Sequence, residues 1–182
     1  GTVVEDSIVA AEVTVGGRVT SSDVDTGSTA VYTTTDTAAH GTFTLTADGD
    51  WSYTLVSAGD AAVQALNVGQ SLVEIFTVTV TDDNNATATQ DVTVTIIGTN
   101  DAPIITSAVQ AGTVVEDSIV AAEVTVGGRV TSSDVDTGST AVYTTTDTAA
   151  HGTFTLTADG DWSYTLVSAG DAAVQALNVG QS

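Results

Sequence analysis

Residues 1–71 recur letter for letter as residues 112–182, an offset of 111. A repeat of that length constrains the fold more than any other feature, because whatever the first copy builds, the second begins to build too. A period of 111 is too long for a solenoid unit and suits a whole sandwich-sized domain. One full period plus 71 residues predicts two domains, the second lacking whatever residues 72–111 supply. They are joined by Gly98-Thr99-Asn100-Asp101-Ala102-Pro103, which holds the only proline of the chain. The expected division is a first β-sandwich over 1–99 that lacks the start of its first strand, a linker at 100–103, and a truncated second sandwich over 104–182.

Within each copy, Thr and Val alternate with period two, the pattern of half-buried strands. The runs predict strands near Thr2–Val4, Val13–Thr20, Thr29–Thr35, Gly41–Thr46, Trp51–Val56, Ile75–Thr81 and Thr87–Ile97, here lettered A to G. Asp48-Gly49 marks a tight hairpin, since such a turn needs a residue that tolerates positive φ. Trp51, Tyr53 and Leu55 share one face and are expected in the core. A short helical turn is expected within Ala58–Leu66. About seven strands in roughly 100 residues is the pattern of an all-β, Ig-like Greek-key sandwich. The second copy stops short of strands F and G, so it is expected to be loosened or completed by strands from a neighbouring molecule.

The charge is extreme: 23 acidic residues stand against Arg18 and Arg129, a net charge of −21. Nucleic acid is excluded as a partner, because its affinity comes largely from Lys and Arg neutralising phosphates. An anionic membrane surface is excluded for the same reason, and no apolar run approaches membrane-spanning length. There is no cysteine, which for a domain with 42% hydrophobic residues says nothing about compartment. No signal peptide is visible, and a start in mid-pattern at Gly1 reads as a piece of something longer.

If successive strands reverse direction, the acids fall at the two poles of each sandwich. One pole carries Glu5, Asp6, the loop Asp36–His40, Asp60, Glu74 and the exit Asn100-Asp101. The other carries Asp23, Asp25, Asp48, Asp50, Asp82 and Asp83, with Asp134, Asp136, Asp159 and Asp161 as equivalents in the second copy. Where the poles of successive domains meet, like charges repel unless cations lie between them. Carboxylates and carbonyls from several loops suit Ca²⁺, which takes six to eight oxygens at flexible geometry. One histidine per copy, His40 and His151, and no cysteine leave little for zinc or copper. Asp23-x-Asp25-x-Gly27 imitates the start of an EF-hand loop, but Thr34 stands where the twelfth-position glutamate is needed.

Combined, these motifs are specific. Val4-Glu5-Asp6, Ser22-Asp23-Val24-Asp25-Thr26-Gly27, Thr79-Val80-Thr81-Asp82 and Thr95-Ile96-Ile97-Gly98-Thr99-Asn100-Asp101-Ala102-Pro103 resemble the cadherin pattern. With Gly41-Thr42-Phe43-Thr44-Leu45, Asp48-Gly49-Asp50-Trp51-Ser52-Tyr53-Thr54-Leu55 and Gln64-Ala65-Leu66 added, the whole period resembles the VCBS repeat of bacterial surface adhesins. The resemblance implies an extracellular, Ig/cadherin-like extender domain in tandem array, with Ca²⁺ at the junctions between neighbouring identical repeats. On that resemblance Glu5 corresponds to the glutamate ending strand A, Asn100 and Asp101 to the linker pair, and Asp134 and Asp136 to the paired aspartates of the following domain. Glu74 stands near the acidic ligand before strand F, although the usual Asp-Arg-Glu triplet is absent. Asp23 and Asp25 face upstream, and Glu116 and Asp117 downstream; each pair is half a junction, expected to bind weakly or not at all.

Other readings have less support. Thr-x-Thr runs such as Thr42-Phe43-Thr44 and Thr77-Val78-Thr79 suggest an ice- or glycan-binding face, but threonine is an ordinary exposed-strand residue. Carboxylate pairs for glycoside hydrolysis abound, yet no apolar cleft is visible to raise a pKa, and no enzyme is expected. His40, beside Gly41 in a loop with no Ser or Cys partner, is expected at the surface. The expected function is a Ca²⁺-stiffened spacer of a cell-surface adhesin that supports adhesion and biofilm formation, with glycan or self-binding as the alternative.

Overall fold

The Thr/Val alternation of the first copy becomes sheet in this computed structural model, which describes residues 1–7, 9–167, 169 and 171–177. Two compact units form. The first comprises Gly1–Asp101 together with Val135–Gly138; the second comprises Ala102–Asp134 and Ser139–Ser182.

The first unit is an all-β, Ig-like sandwich of seven strands. Its strands are β1 (Thr2–Val4), β2 (Thr14–Arg18), β3 (Ala30–Thr33), β4 (Gly41–Leu45), β5 (Asp50–Leu55), β6 (Ser71–Asp82) and β7 (Thr87–Ile97). One sheet has the order β1-β7-β6-β3 and the other β2-β5-β4. Every pairing is antiparallel except β1 with β7, which is parallel, with Thr2 opposite Thr95 and Val4 opposite Ile97. Alternating strand direction predicts that exception, and it brings the C-terminal ends of β1 and β7 to the same pole.

Two single-turn helices interrupt the strands, α1 (Ala10–Val13) and α2 (Ala61–Gln64). The second lies inside the expected helical turn, and Asp60 caps it by accepting from the N–H groups of Ala62 and Val63 at 3.0 and 3.3 Å. The first was not expected; it is one turn closed by Glu12 N–H donating to Val9 O at 2.8 Å.

The core lies between the sheets. Val3, Tyr53, Val63, Val94 and Ile96 are fully buried, and Phe76 and Val78 nearly so. Phe76 is stacked on Phe43 with ring centroids 4.0 Å apart and sits 5.9 Å from Tyr53. Burying a phenylalanine of this kind contributes about 2–3 kcal/mol. Strand β6 begins four residues earlier than its hydrophobic run predicts, because the ladder to β7 continues through Ser71↔Ile97. Period two then puts Leu72, Glu74, Phe76, Val78 and Val80 on one face, so Glu74 points toward the core side. At the expected β4–β5 hairpin, Gly49 has φ +89, and a Cβ there would meet Val19 O at 2.3 Å.

The second unit repeats part of this plan. Its strands are β8 (Ile104–Ile105), β9 (Thr125–Arg129), β10 (Ser132–Ser133), β11 (Gly152–Leu156) and β12 (Asp161–Leu166), with single-turn helices α3 (Ala121–Val124) and α4 (Ala172–Gln175). The sheet β11-β12-β9 keeps the register of β4-β5-β2, with Tyr164 opposite both Phe154 and Val126 as Tyr53 is opposite Phe43 and Val15. The remaining described strands, β8 and β10, form a separate two-stranded pair.

Candidate metal centre

The acidic site of the first unit follows from the parallel pairing. Glu5 N–H donates to Ile97 O at 3.0 Å, one step beyond the β1–β7 ladder, which brings Glu5 level with the chain leaving β7. The Glu5 side chain is fully buried. Its Oε2 accepts the Thr99 N–H at 3.2 Å, and its Oε1 accepts from Gln64 Nε2 at 3.4 Å. Asp6 follows in the left-handed conformation, φ 51, which aspartate tolerates better than most residues, and its Oδ1 accepts from the same Gln64 amide at 2.8 Å.

Glycine at 98 permits this approach. A Cβ there would meet Leu66 Cβ and Leu66 O at 2.5 Å and Asn67 O at 2.7 Å, so the chain leaving β7 runs against the backbone that follows α2.

Glu5, Asp6 and Asp101 each bring a carboxylate oxygen to within 4.8 Å of the other two. Asp136 lies beside this group, and its charge acts on Glu5. The residue is 4% exposed, and its Oδ2 accepts the Asp101 N–H at 2.9 Å. The neighbouring Thr137 N–H donates to Ala65 O at 2.9 Å, which holds Val135–Gly138 in the first unit. Its sequence equivalent Asp25 is exposed, its own N–H donating to Asp23 Oδ1 at 2.8 Å.

The electrostatics of this group are unfavourable without a cation. Burial pushes the Glu5 carboxyl above its ordinary range, against the lowering effect of the Thr99 N–H, and the charges of Asp6, Asp101 and Asp136 push it further. A buried carboxylate among three others costs several kcal/mol unless paired or liganded to metal. The donor set is all oxygen and drawn from three separate stretches of chain, which suits Ca²⁺ and offers nothing to a metal that needs sulfur or imidazole.

The other sequence candidates are placed as follows. Asn100 is exposed, and its Nδ2 donates to Asp101 O at 2.5 Å. Asp134 is exposed just after β10. Glu74 does not join the acidic group: Oε1 accepts the Ala39 N–H at 2.5 Å and Oε2 accepts the Tyr53 hydroxyl. Burial and that glutamate drive the Tyr53 phenol far above its usual range. Asp23 is bound into its own loop, with Ser28 Oγ donating to it at 3.2 Å and to Asp83 at 2.9 Å. Glu116 is half-buried with Oε2 enclosed, and Asp117, φ 53, accepts from Gln175 Nε2 at 3.1 Å, repeating the Asp6–Gln64 contact.

Two participants were not among the sequence candidates, Asp6 and Gln64. The signal for Asp6 lay in its own repeat, since Glu116 and Asp117 enter the candidate set as a pair while Glu5 enters alone. His40, expected at the surface, is only 21% exposed and holds Asp60 Oδ2 at 2.7 Å.

Residues 1–98 match the family model described as bacterial cadherin-like domain, and residues 100–179 match that described as bacterial Ig domain. No curated protein matches the chain. Among solved structures, the Protocadherin GammaB4 extracellular domain is similar over 76% of this chain at 15% identity and a TM-score of 0.43, and this chain spans 20% of it.

Proposed function

The chain belongs to the bacterial cadherin-like domain family, and from that premise we propose that it is a calcium-stiffened structural extender of a bacterial surface adhesin. Domains of this family and of the bacterial Ig family serve as extracellular structural and adhesive modules. Among the described residues, no helix is long and apolar enough to cross a membrane.

One observation carries the reading. Glu5 is a fully buried carboxylate with carboxylate oxygens of the exposed Asp6 and of Asp101 within 4.8 Å, and it lies in the field of Asp136. In this reading Glu5, Asp6, Asp101 and Asp136 hold one or more Ca²⁺ ions, with Asn100 and Asp134 as flanking donors. The ion supplies positive charge to a group that otherwise repels itself.

The mechanical consequence follows from sequence position. Asp101 lies in the linker and Asp136 in the second sequence copy, while Glu5 and Asp6 end the first strand of the first copy. An ion shared by these three stretches restricts the linker Gly98–Pro103, and repetition along an array turns many such linkers into a stalk. The role is structural, with adhesion and biofilm formation as its biological setting.

Small-angle scattering with and without chelator tests this reading. The expected result is a narrow distribution of lengths in calcium and a broad one in EDTA. Identical distributions would reject the stiffening role.

A further inference from the structure

Strand β4 ends the sheet β2-β5-β4, so one of its sides has no strand beside it. Hydrogen-bond parity tells which main-chain groups that side carries. Just beyond the two ends of the β4–β5 ladder, the Val56 N–H donates to His40 O at 3.0 Å and the Thr46 N–H to Asp50 O at 2.8 Å. Bonded positions alternate along an antiparallel ladder, so Thr42 and Thr44 also bond to β5. Gly41, Phe43 and Leu45 therefore turn their N–H and C=O groups outward. The next group in that direction, Ala47 O, is taken by the Tyr32 N–H at 3.1 Å. Among the described residues, no other part of the chain bonds to the outward groups of 41, 43 and 45.

Elsewhere the first unit closes such an edge. Strand β3 covers β6 only over Thr79–Asp82. Beyond it, the Thr77 N–H donates to Asp36 Oδ2 at 2.6 Å, and Thr77 O accepts from Thr34 Oγ1 at 2.9 Å. Two side chains thus stand in for a strand. Strand β4 has no such cover, and its residues Gly-Thr-Phe-Thr-Leu include neither the charge nor the proline that keeps an edge from pairing. No bulge interrupts its register, which runs unbroken from Gly41↔Leu55 to Leu45↔Trp51.

The edge is complementary to itself. Its outward positions are symmetric about Phe43, so two antiparallel copies place Gly41 opposite Leu45 and Phe43 opposite Phe43. Each such pair exchanges two main-chain hydrogen bonds. The exposed Thr42 and Thr44 then meet across the seam as threonine pairs, which favour strand pairing. Charge points the same way. In a chain of net charge −21 two copies repel, and approach is least opposed along a strand without carboxylates.

We propose that β4 is a self-association edge that pairs antiparallel with β4 of a second molecule, about a two-fold axis through Phe43. Strand β11 repeats the device. Its flanking bonds, Val167 N–H to His151 O at 3.1 Å and Thr157 N–H to Asp161 O at 2.8 Å, turn Gly152, Phe154 and Leu156 outward. The contact uses none of Glu5, Asp6, Asp101 and Asp136, so it stands or falls apart from the calcium reading.

The test is residue-resolved amide hydrogen exchange on the full chain, with sedimentation, from dilute solution to about 1 mM. High concentration is needed because one strand is a small contact beside a standard interface of about 1,600 Å². Exchange at Gly41, Phe43 and Leu45 should slow about threefold or more as the chain associates. Thr42 and Thr44, already bonded to β5, should not change. Added salt should tighten the association, because it screens the acidic repulsion. Replacing Thr42, Thr44, Thr153 and Thr155 together by lysine lowers the net negative charge but sets like charges against each other across the seam. That variant should lose the alternating protection while unfolding at the parent's temperature in dilute solution. A parent chain that stays monomeric at about 1 mM, or that associates with those three amides unprotected, would overturn the proposal. So would alternating protection that survives in the lysine variant.

Discussion

The backbone N–H of Asp101 donates to Oδ2 of Asp136 at 2.9 Å, joining the linker to a residue 35 positions further along. The same residue type at the equivalent place in the first copy, Asp25, is exposed and bound into its own turn. Asp136→Ala is therefore expected to lower calcium affinity at least tenfold, while Asp25→Ala leaves it within about twofold. Calorimetric titration of the two variants checks this, and equal losses would contradict the assignment of Asp136 to the site.

Glu5→Gln should reverse sign with calcium. The amide keeps an acceptor for the Thr99 N–H and removes one charge from the carboxylate group. In chelator the variant should equal or exceed the parent in stability, by about 1 kcal/mol, because replacing a buried unpaired charge by a neutral isostere relieves desolvation. In saturating calcium it should be the less stable of the two. Denaturant unfolding in both buffers reads both signs.

Gly98→Ala should destabilise the first unit whether or not calcium is present. Its added methyl meets two backbone carbonyls and Leu66 Cβ, none of them a flexible side-chain end. Overpacking of this sort costs about 1–3 kcal/mol. The check is the shift in the denaturation midpoint, and a neutral result would mean that the exit from β7 is looser than its contacts indicate.

Acid should weaken the first unit partly through Asp60. The hydrogen bond from His40 lowers its pKa most, aided by the Val63 and Ala62 N–H groups and by the His40 charge. A carboxylate whose folded pKa is depressed contributes stability that is fully present above its unfolded value, about 4, and is lost as pH falls through the folded value. Asp60→Asn keeps a capping acceptor and loses the charge. Its stability should follow pH less steeply than the parent's below about pH 4, as measured by thermal unfolding across pH 2–6.

Much of the fold was legible because β-strand signals are local. Alternating Thr and Val located all seven strands of the first copy, and polarity alone predicted that β1 and β7 would run the same way. The extension of β6 to Ser71 was hidden because Leu72–Glu74 carries a charge at an inward-facing position, which the Tyr53 hydroxyl and the Ala39 N–H explain. That contact joins residues 21 apart on different sheets, as the His40–Asp60 pair joins residues 20 apart, and no spacing rule reports either. At the acidic site, polarity gathered Glu5, Asp6 and Asp101 at one pole. The burial of Glu5 and the Gln64 amide that steadies Asp6 depend on α2 packing beside β1, which a strand pattern does not encode.

The central claim is that calcium completes the group formed by Glu5, Asp6, Asp101 and Asp136. Scanning calorimetry of the chain in excess EDTA and in calcium tests it most directly. Ligand that binds only the folded state adds about 2.7 kcal/mol at one hundred times its dissociation constant. The account predicts a rise in the unfolding temperature of the first unit with calcium, and no such rise in the Glu5→Gln variant. Superimposable traces for the parent chain in the two buffers would contradict it.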